Sequence, residues 1–468
     1  YEPSLDSIYS YMEYEKDKGY NYSFLFFDYI HKFNEDGHEI VWSGFFRNSN
    51  SHENFTDKGF LPNNVQSSSI IDEENSRELY KRLKFDYTLP LSENIIIEAG
   101  YKIRSSREDE SYGFEYFDYM NNNTPLVYDN SSDYSQINQA VYSTFASQWK
   151  GIKYKAGLRG EHTLWEMKNE KDPGNPTKIK QFDWFPSIHI SYRFKGGHSL
   201  SGSYSKRIHR PASNYLEPFE SYSNYYTKRI GNPALEPEYI DSYELNYRKR
   251  YKRSSFSFET YLKKTRNKIE TYKKYLDEKR IIYSVHNVGH DLTFGAETAF
   301  MIDLFDWWDF TTYSQAYYYR VETDNNNEFR ETRKINLYLK NSFTILKKTH
   351  LQFDAIYNGG SITSQREIKP SYLVSGSLRR SFFDKNLSLT FKMKDIFKTV
   401  KLEVLSTGPS FSSETHLTRY APYYTLSLTY RIKKLKKRKE HDEENERVVN
   451  DFKNVIYGYP LRLKVFAI

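Results

Sequence analysis

The side chains that could carry chemistry are few and scattered. His162, His189, His198 and His209 each stand alone, with no second ligand at helical or hairpin spacing, so their pattern makes no metal site. Cysteine is absent, which removes disulfides, thiolate ligands and thiol nucleophiles together. Gly196-Gly197 reads as a turn rather than a phosphate cradle, because no helix start follows it. No paired nucleophile and base stands out, and a hydrolase would need an acid and a histidine to meet across strands. Aromatic residues are the stronger candidates. Tyr215, Tyr222, Tyr225 and Tyr226 crowd one polar stretch and could stack against a sugar or another flat ligand. Packing between loops, or a girdle at a membrane interface, competes with that role and carries more weight. No catalytic residue, metal ligand or cofactor is assigned.

The elements that would position these residues follow from composition and period. The 468 residues include 44 Tyr, 32 Phe and 6 Trp, yet only 38% are hydrophobic and the mean hydropathy is -0.81. That is too aromatic for disorder, and no stretch approaches an apolar membrane-spanning helix. A net charge of +7 with 28% charged residues is too mild and too interspersed for a nucleic-acid binder. Ile95, Ile97, Ala99, Tyr101 and Ile103 alternate with polar neighbours such as Glu98, Lys102 and Arg104. The same period runs through 292–302, 351–358, 387–394 and 424–432. Successive strand residues face opposite ways, so each segment has one apolar and one polar face. The chain is all-β.

Its connections alternate in length. Short turns fall at 34–37, 91–93, 150–151, 195–197, 252–253, 305–306, 348–349 and 384–385, where Gly, Asp and Asn recur. Long polar connections fall at about 50–77, 107–133, 165–180, 209–235 and 268–290. Short turns on one side and long loops on the other predict a transmembrane antiparallel β-barrel with the short side periplasmic. The polar face then lines a lumen containing Glu98, Glu297 and Asp354. Lys102, Arg104, Lys392 and Lys394 on that face either steer an anionic solute or pair with a plug. Trp184, Trp307, Trp308 and Tyr313 are expected as interfacial anchors. Segment counting gives about 19 strands, and the first clear one (20–32) and the last (423–432) run the same way, so an even-numbered barrel lacks an odd number of strands; 22 is the size expected of a plugged lumen. The expected division is 1–19 as an outer-loop remnant, 20–432 as a barrel truncated at its N-terminal side, and 433–468 as a charged periplasmic tail, part helical.

Four motifs in order sharpen this, one of them in three pieces. Ser203-Tyr204-Ser205-Lys206-Arg207-Ile208-His209-Arg210-Pro211 precedes Leu216-Glu217-Pro218-Phe219, and then come Gly231-Asn232-Pro233-Ala234-Leu235-Glu236-Pro237-Glu238. Ala156-Gly157-Leu158-Arg159-Gly160-Glu161, Asp395-Ile396-Phe397-Lys398-Thr399 and the closing 426–432 add to them. The set resembles the TonB-dependent-receptor-like outer-membrane barrels of Bacteroidota. Glu217 and Lys398 stand where that family usually has Asn, and Ile432 replaces a terminal Phe. The resemblance implies a bacterial outer-membrane location and an energy-coupled receptor for solute uptake in the intact protein. Its implied partners are outer-membrane lipid, an N-terminal plug, an inner-membrane energy transducer and a surface lipoprotein. Arg210, Pro211, Pro218, Gly231, Asn232, Pro233, Pro237 and Glu238 are the motif residues. Ligand contact is one role for them; fixing the loop backbone is the weightier one. A non-transporting platform in a secretion or assembly complex, and a soluble all-β binding or adhesion protein, are the alternatives.

Overall fold

Each alternating segment finds an antiparallel neighbour close to it in sequence, which is what a meander with tight turns on one side produces. The computed structural model describes residues 11–432 apart from 62, 121–123, 225–226, 277–279, 324–327, 409–410 and 419. The wall begins with β1 (Tyr11–Lys32), β2 (Glu39–Phe60), β3 (Gln66–Ser92) and β4 (Ile95–Asp118). β5 (Leu126–Trp149), β6 (Ile152–Asn169), β7 (Asp172–Phe194) and β8 (His198–His209) continue it. A one-turn helix α1 (Ser213–Leu216), β9 (Glu220–Asn224) and β10 (Thr227–Ile230) intervene before β11 (Glu238–Arg250) and β12 (Ser254–Arg266). After β13 (Ile269–Tyr275) and β14 (Ile281–Asn287) the wall resumes with β15 (Gly289–Phe305), β16 (Trp308–Thr323), β17 (Phe329–Ile345) and β18 (Thr349–Asn358). β19 (Ser361–Ile362) and β20 (Arg366–Ile368) lead to β21 (Ser371–Phe382) and β22 (Leu387–Lys394). β23 (Lys401–Gly408) and β24 (Phe411–Thr418) precede the last wall strand, β25 (Tyr423–Tyr430).

Seventeen strands form the wall, and the other eight form two four-stranded sheets from the long connections. The expected count of about 19, with an error of one or two, takes in this number; period alone does not separate wall strands from strands in outer loops. All wall neighbours are antiparallel, from β1–β2 to β22–β25. β1 and β25 therefore run the same way.

The short turns lie where expected. At Lys150-Gly151 both residues take positive φ, 45° and 84°, the twist that suits a two-residue hairpin. Several long connections differ from expectation. Most of 50–77, 107–133 and 165–180 is strand, with ladders running out to Phe60↔Gln66, Tyr116↔Leu126 and Asn169↔Asp172. Beyond the bilayer both faces of a strand can be polar, so backbone pairing continues after the hydrophobic alternation has ended. Tyr11–Gly19, expected as outer loop, pairs with Phe60–His52 for the same reason. The 433–468 tail lies outside the described residues.

One face of the wall is apolar and open. Phe294, Val141, Ile335 and Leu378 point that way, with 56%, 65%, 59% and 45% of their surface exposed. The ladders place Glu98, Glu297 and Asp354 together on the opposite, inner face, through pairs such as Glu98↔Thr144 and Glu297↔Gln315. At the short-turn end Phe305 and Trp307 stack at 5.5 Å and Trp308 packs on Phe343 at 5.7 Å, an aromatic belt at a membrane boundary. Trp184 is outward on β7, edge-on to Phe182 at 5.1 Å. Tyr313 departs from expectation: it shares the inner face with Glu297 and donates its hydroxyl to that carboxylate. Strand parity, not nearness to a strand end, decides which face a ring meets.

Candidate functional site

The described residues of segment 210–237 do not project away from the wall. They fold back onto the inner face of β3–β6. Leu216 and Leu235 are buried against Tyr134, Trp165, Met167 and Val285, and Phe219 packs with Ile70, Tyr112 and Phe114. Val285 apart, these apolar residues sit on a mostly polar inner face, and they mark where the segment docks.

The motif residues hold that docking in place. Glu161, nearly inaccessible, receives Arg210 at 2.8 Å and Arg159 at 2.9 Å, with Arg104 at 3.9 Å. Arg210 also donates to Thr163 at 2.8 Å, as does Asn138. Two motifs far apart in sequence, 156–161 and 203–211, thus meet in one ion pair. A Cβ on Gly231 would lie 2.5 Å from the Glu217 carbonyl oxygen and 2.8 Å from that of Tyr215, so only glycine lets the two passes of the loop touch. Asn232 secures the contact: its N–H donates to the Tyr215 carbonyl at 2.7 Å and its side chain to the Val285 carbonyl at 3.1 Å. Pro211 and Pro237 are buried, and Pro218 and Pro233 half-buried, at the corners. Glu238 opens β11 by accepting Lys268 at 3.0 Å, His209 at 3.1 Å and the Ile269 N–H at 2.8 Å.

The candidate tyrosines separate. Tyr222 stacks on Phe114 at 4.5 Å, and its backbone N–H and carbonyl both bond the Tyr112 hydroxyl, at 2.6 and 2.9 Å. Its ring is part of the dock. Tyr215 keeps 37% of its surface. Tyr225 and Tyr226 lie outside the described residues.

Two outer sheets stand beyond the dock. In one, β10 pairs in parallel with β14; the other joins β20 to β23. They interlock where Lys273 N–H donates to the Gln365 side chain at 2.8 Å and Ser364 N–H to Glu270 at 2.8 Å. A polar cavity of about 570 Å³ opens in the extended part of β2–β6, lined by Asn50, His52, Asn75, Arg77, Asp109 and Glu110. It is separate from the tyrosine cluster.

Sequence reasoning missed one feature here. Glu217, noted only as a departure from the usual Asn, shares a hydrogen bond with Glu110, and burial together with Glu74 and Glu108 raises the affinity of both carboxyls for protons. Glu110 lies beyond the roughly 10 residues of β4 that a bilayer takes up from the short-turn end. No alternation or spacing links positions 110 and 217.

The inner-face acids are engaged rather than poised. Glu98 takes Lys155 at 2.6 Å and Asp354 takes Tyr338 at 2.9 Å. Among the described residues no group of three or more His, Asp or Glu is arranged to hold a metal.

Comparison with solved structures places the fold. The ferric citrate transporter FecA, unliganded, matches with a TM-score of 0.55 and 12% identity over 84% of this chain. The copper transporter OprC gives 0.60 and 10% over 82%, and the ferric-catecholate import receptor Fiu of E. coli K12 gives 0.57 and 10% over 83%. The chain spans about 60% of the length of each, namely 60%, 60% and 61%. At these identities the likeness is one of fold. No curated protein matches the sequence. A bacterial outer-membrane location and the wall geometry agree with the family model that covers residues 31–430, and by that match the chain belongs to the outer membrane protein beta-barrel family.

Proposed function

We propose that the chain forms most of the wall of an outer-membrane receptor that takes up a solute. The observation that carries this reading is the inner face, which is lined by charged and polar side chains and faced by an inturned segment. A wall built to be a static platform has no need of a lumen with so many charges, whereas a solute path has. The solved structures of like fold are described as transporters and receptors for ferric citrate, copper and ferric catecholates, which favours the same direction. Under this reading a plug fills the lumen of the intact protein, an inner-membrane transducer supplies energy through it, and a surface lipoprotein delivers the solute. Siderophores, glycan fragments and peptides are the candidate classes.

The test is solute accumulation by cells carrying or lacking the intact gene, with and without dissipation of the proton gradient. Gene-dependent uptake that collapses with the gradient is the expected result. Unchanged accumulation of all three classes, with loss of a secreted or surface-assembled product instead, would put the platform in its place.

A further inference from the structure

The inner wall carries positive charge that its own carboxylates do not balance. Near the middle of β3 and β4 the ladder sets Lys84 directly opposite Lys102, and Arg82 directly opposite Arg104. Like charges facing across a strand pair repel, and this arrangement occurs twice in succession on one face. Arg47 on β2 and Arg159 on β6 extend the patch sideways, and Arg210 reaches it from the inturned segment.

The local acids are already committed. Glu78 takes Arg47 at 2.5 Å, Asp86 takes Lys84 at 2.6 Å, and Glu161 alone serves Arg104, Arg159 and Arg210. Glu98, next along the same face, is held by Lys155, so in the ion pairs of the described residues these seven cations share three carboxylates. Arg82 and Lys102 are in no ion pair among the described residues, and Arg82 lies over the Phe45 ring at 5.5 Å. The Nε atoms of Arg47 and Arg104 are buried without an acceptor. Phe45, Arg47, Tyr80 and Arg82 also line a concavity in the wall at this point.

We propose that this patch binds a compact polyanion, a solute bearing two or more phosphate or carboxylate groups. Opposed residues across a strand pair stand about 5 Å apart and same-face neighbours along a strand about 7 Å, so the four cations frame an area suited to two anionic groups. Guanidinium forks match such groups two bonds at a time. A concavity of side-chain dimensions favours a small ligand over the broad acidic face of a protein domain. The inference deepens the uptake reading and rests on it for its biological sense, while the binding itself is a property of the wall.

The experiment uses the full chain refolded in detergent at low ionic strength, titrated calorimetrically with inorganic pyrophosphate. Arg82→Gln/Lys102→Gln is compared with Lys392→Gln/Lys394→Gln, which removes two cations from another part of the inner face. The first pair is expected to weaken pyrophosphate binding by about tenfold or more, and the second to leave it unchanged. Without anion, Arg82→Gln/Lys102→Gln is expected to melt higher than wild type, because repulsion has been relieved. Equal binding by both variants overturns the proposal. Should the first variant fail to fold, wild type alone decides: pyrophosphate must raise its melting temperature more than chloride at matched ionic strength, and equal shifts overturn the site. Absent binding with intact cellular uptake removes the anion site and leaves the uptake reading standing; retained binding without uptake does the reverse.

Discussion

Glu161 is one carboxylate surrounded by Arg104, Arg159 and Arg210, so its two possible losses are unequal. Glu161→Gln leaves three partly exposed guanidiniums facing one another without a carboxylate, at a cost of about 3 kcal/mol or less, the lower end of the scale for breaking a buried pair from one side, because water still reaches the cations. Arg210→Gln leaves Glu161 with Arg159 and should cost less, while freeing the segment it anchors. Chemical unfolding of both variants checks the order, and equal costs would contradict it. The Glu110–Glu217 pair predicts a pH dependence. Both carboxyls hold protons more tightly in the folded state than the ordinary Glu value of 4.5, chiefly through burial; Glu217 raises Glu110 further, the hydrogen bond from Glu110 offsets part of the rise at Glu217, and Glu74 and Glu108 raise both. The folded state therefore binds more protons than the unfolded one above that value. Its stability is full below about pH 4.5 and falls as pH rises toward and past neutrality. Glu217→Asn, the substitution toward the family's usual residue, should flatten that slope and raise the melting temperature at pH 8. A slope unchanged in Glu217→Asn would exclude the pair as its source.

Turns and wall strands were legible in the sequence because each leaves a local mark. Lys150-Gly151 needs positive φ, and a strand with one lipid face must alternate. Extended hairpins such as β2–β3 left no mark where both faces are wet, and Tyr313 was misread because nearness to a strand end does not give its face. The loop motifs were visible as words without meaning: Arg210 and Glu161, or Gly231 and Tyr215, acquire their roles only once the segment folds back. That dock gives a test at the level of the element. Gly231→Ala puts a methyl against two backbone carbonyls that cannot turn aside. It should cost about 1–3 kcal/mol, the range for overpacking a tight site, and expose 210–237 to protease. Tyr222→Ala should also loosen the segment, by removing the stack on Phe114, while Tyr215→Ala should not, since Tyr215 contributes mainly its backbone carbonyl to the dock. Equal protection of the segment in all three variants would show that the dock is held elsewhere.

At the scale of the molecule, a polar chain rich in aromatic residues becomes a membrane wall because lipid meets only every second residue of each strand. The polar average comes from the inner face and the outer extensions, and the rings collect at the boundaries. This makes two adjacent positions on β21 behave oppositely. Leu378 is outward, 45% exposed and a few residues above the short-turn end, whereas Ser377 is inward, opposite Gln352 on β18 and Lys392 on β22. Leu378→Arg should lower stability in a bilayer by about 2–4 kcal/mol, the cost of a lipid-facing Arg near the midplane. Ser377→Arg places the same charge in water and should cost much less, apart from repulsion by Lys392. Refolding both variants into liposomes, with the fraction folded read from heat-dependent gel migration, separates the faces. A soluble sandwich has no lipid face, so tolerance of both substitutions, together with extraction by aqueous buffer, would contradict the barrel. Sensitivity at 378 with tolerance at 377, in protein that inserts into liposomes and migrates differently after heating, is the outcome expected of a wall with lipid on one side and water on the other.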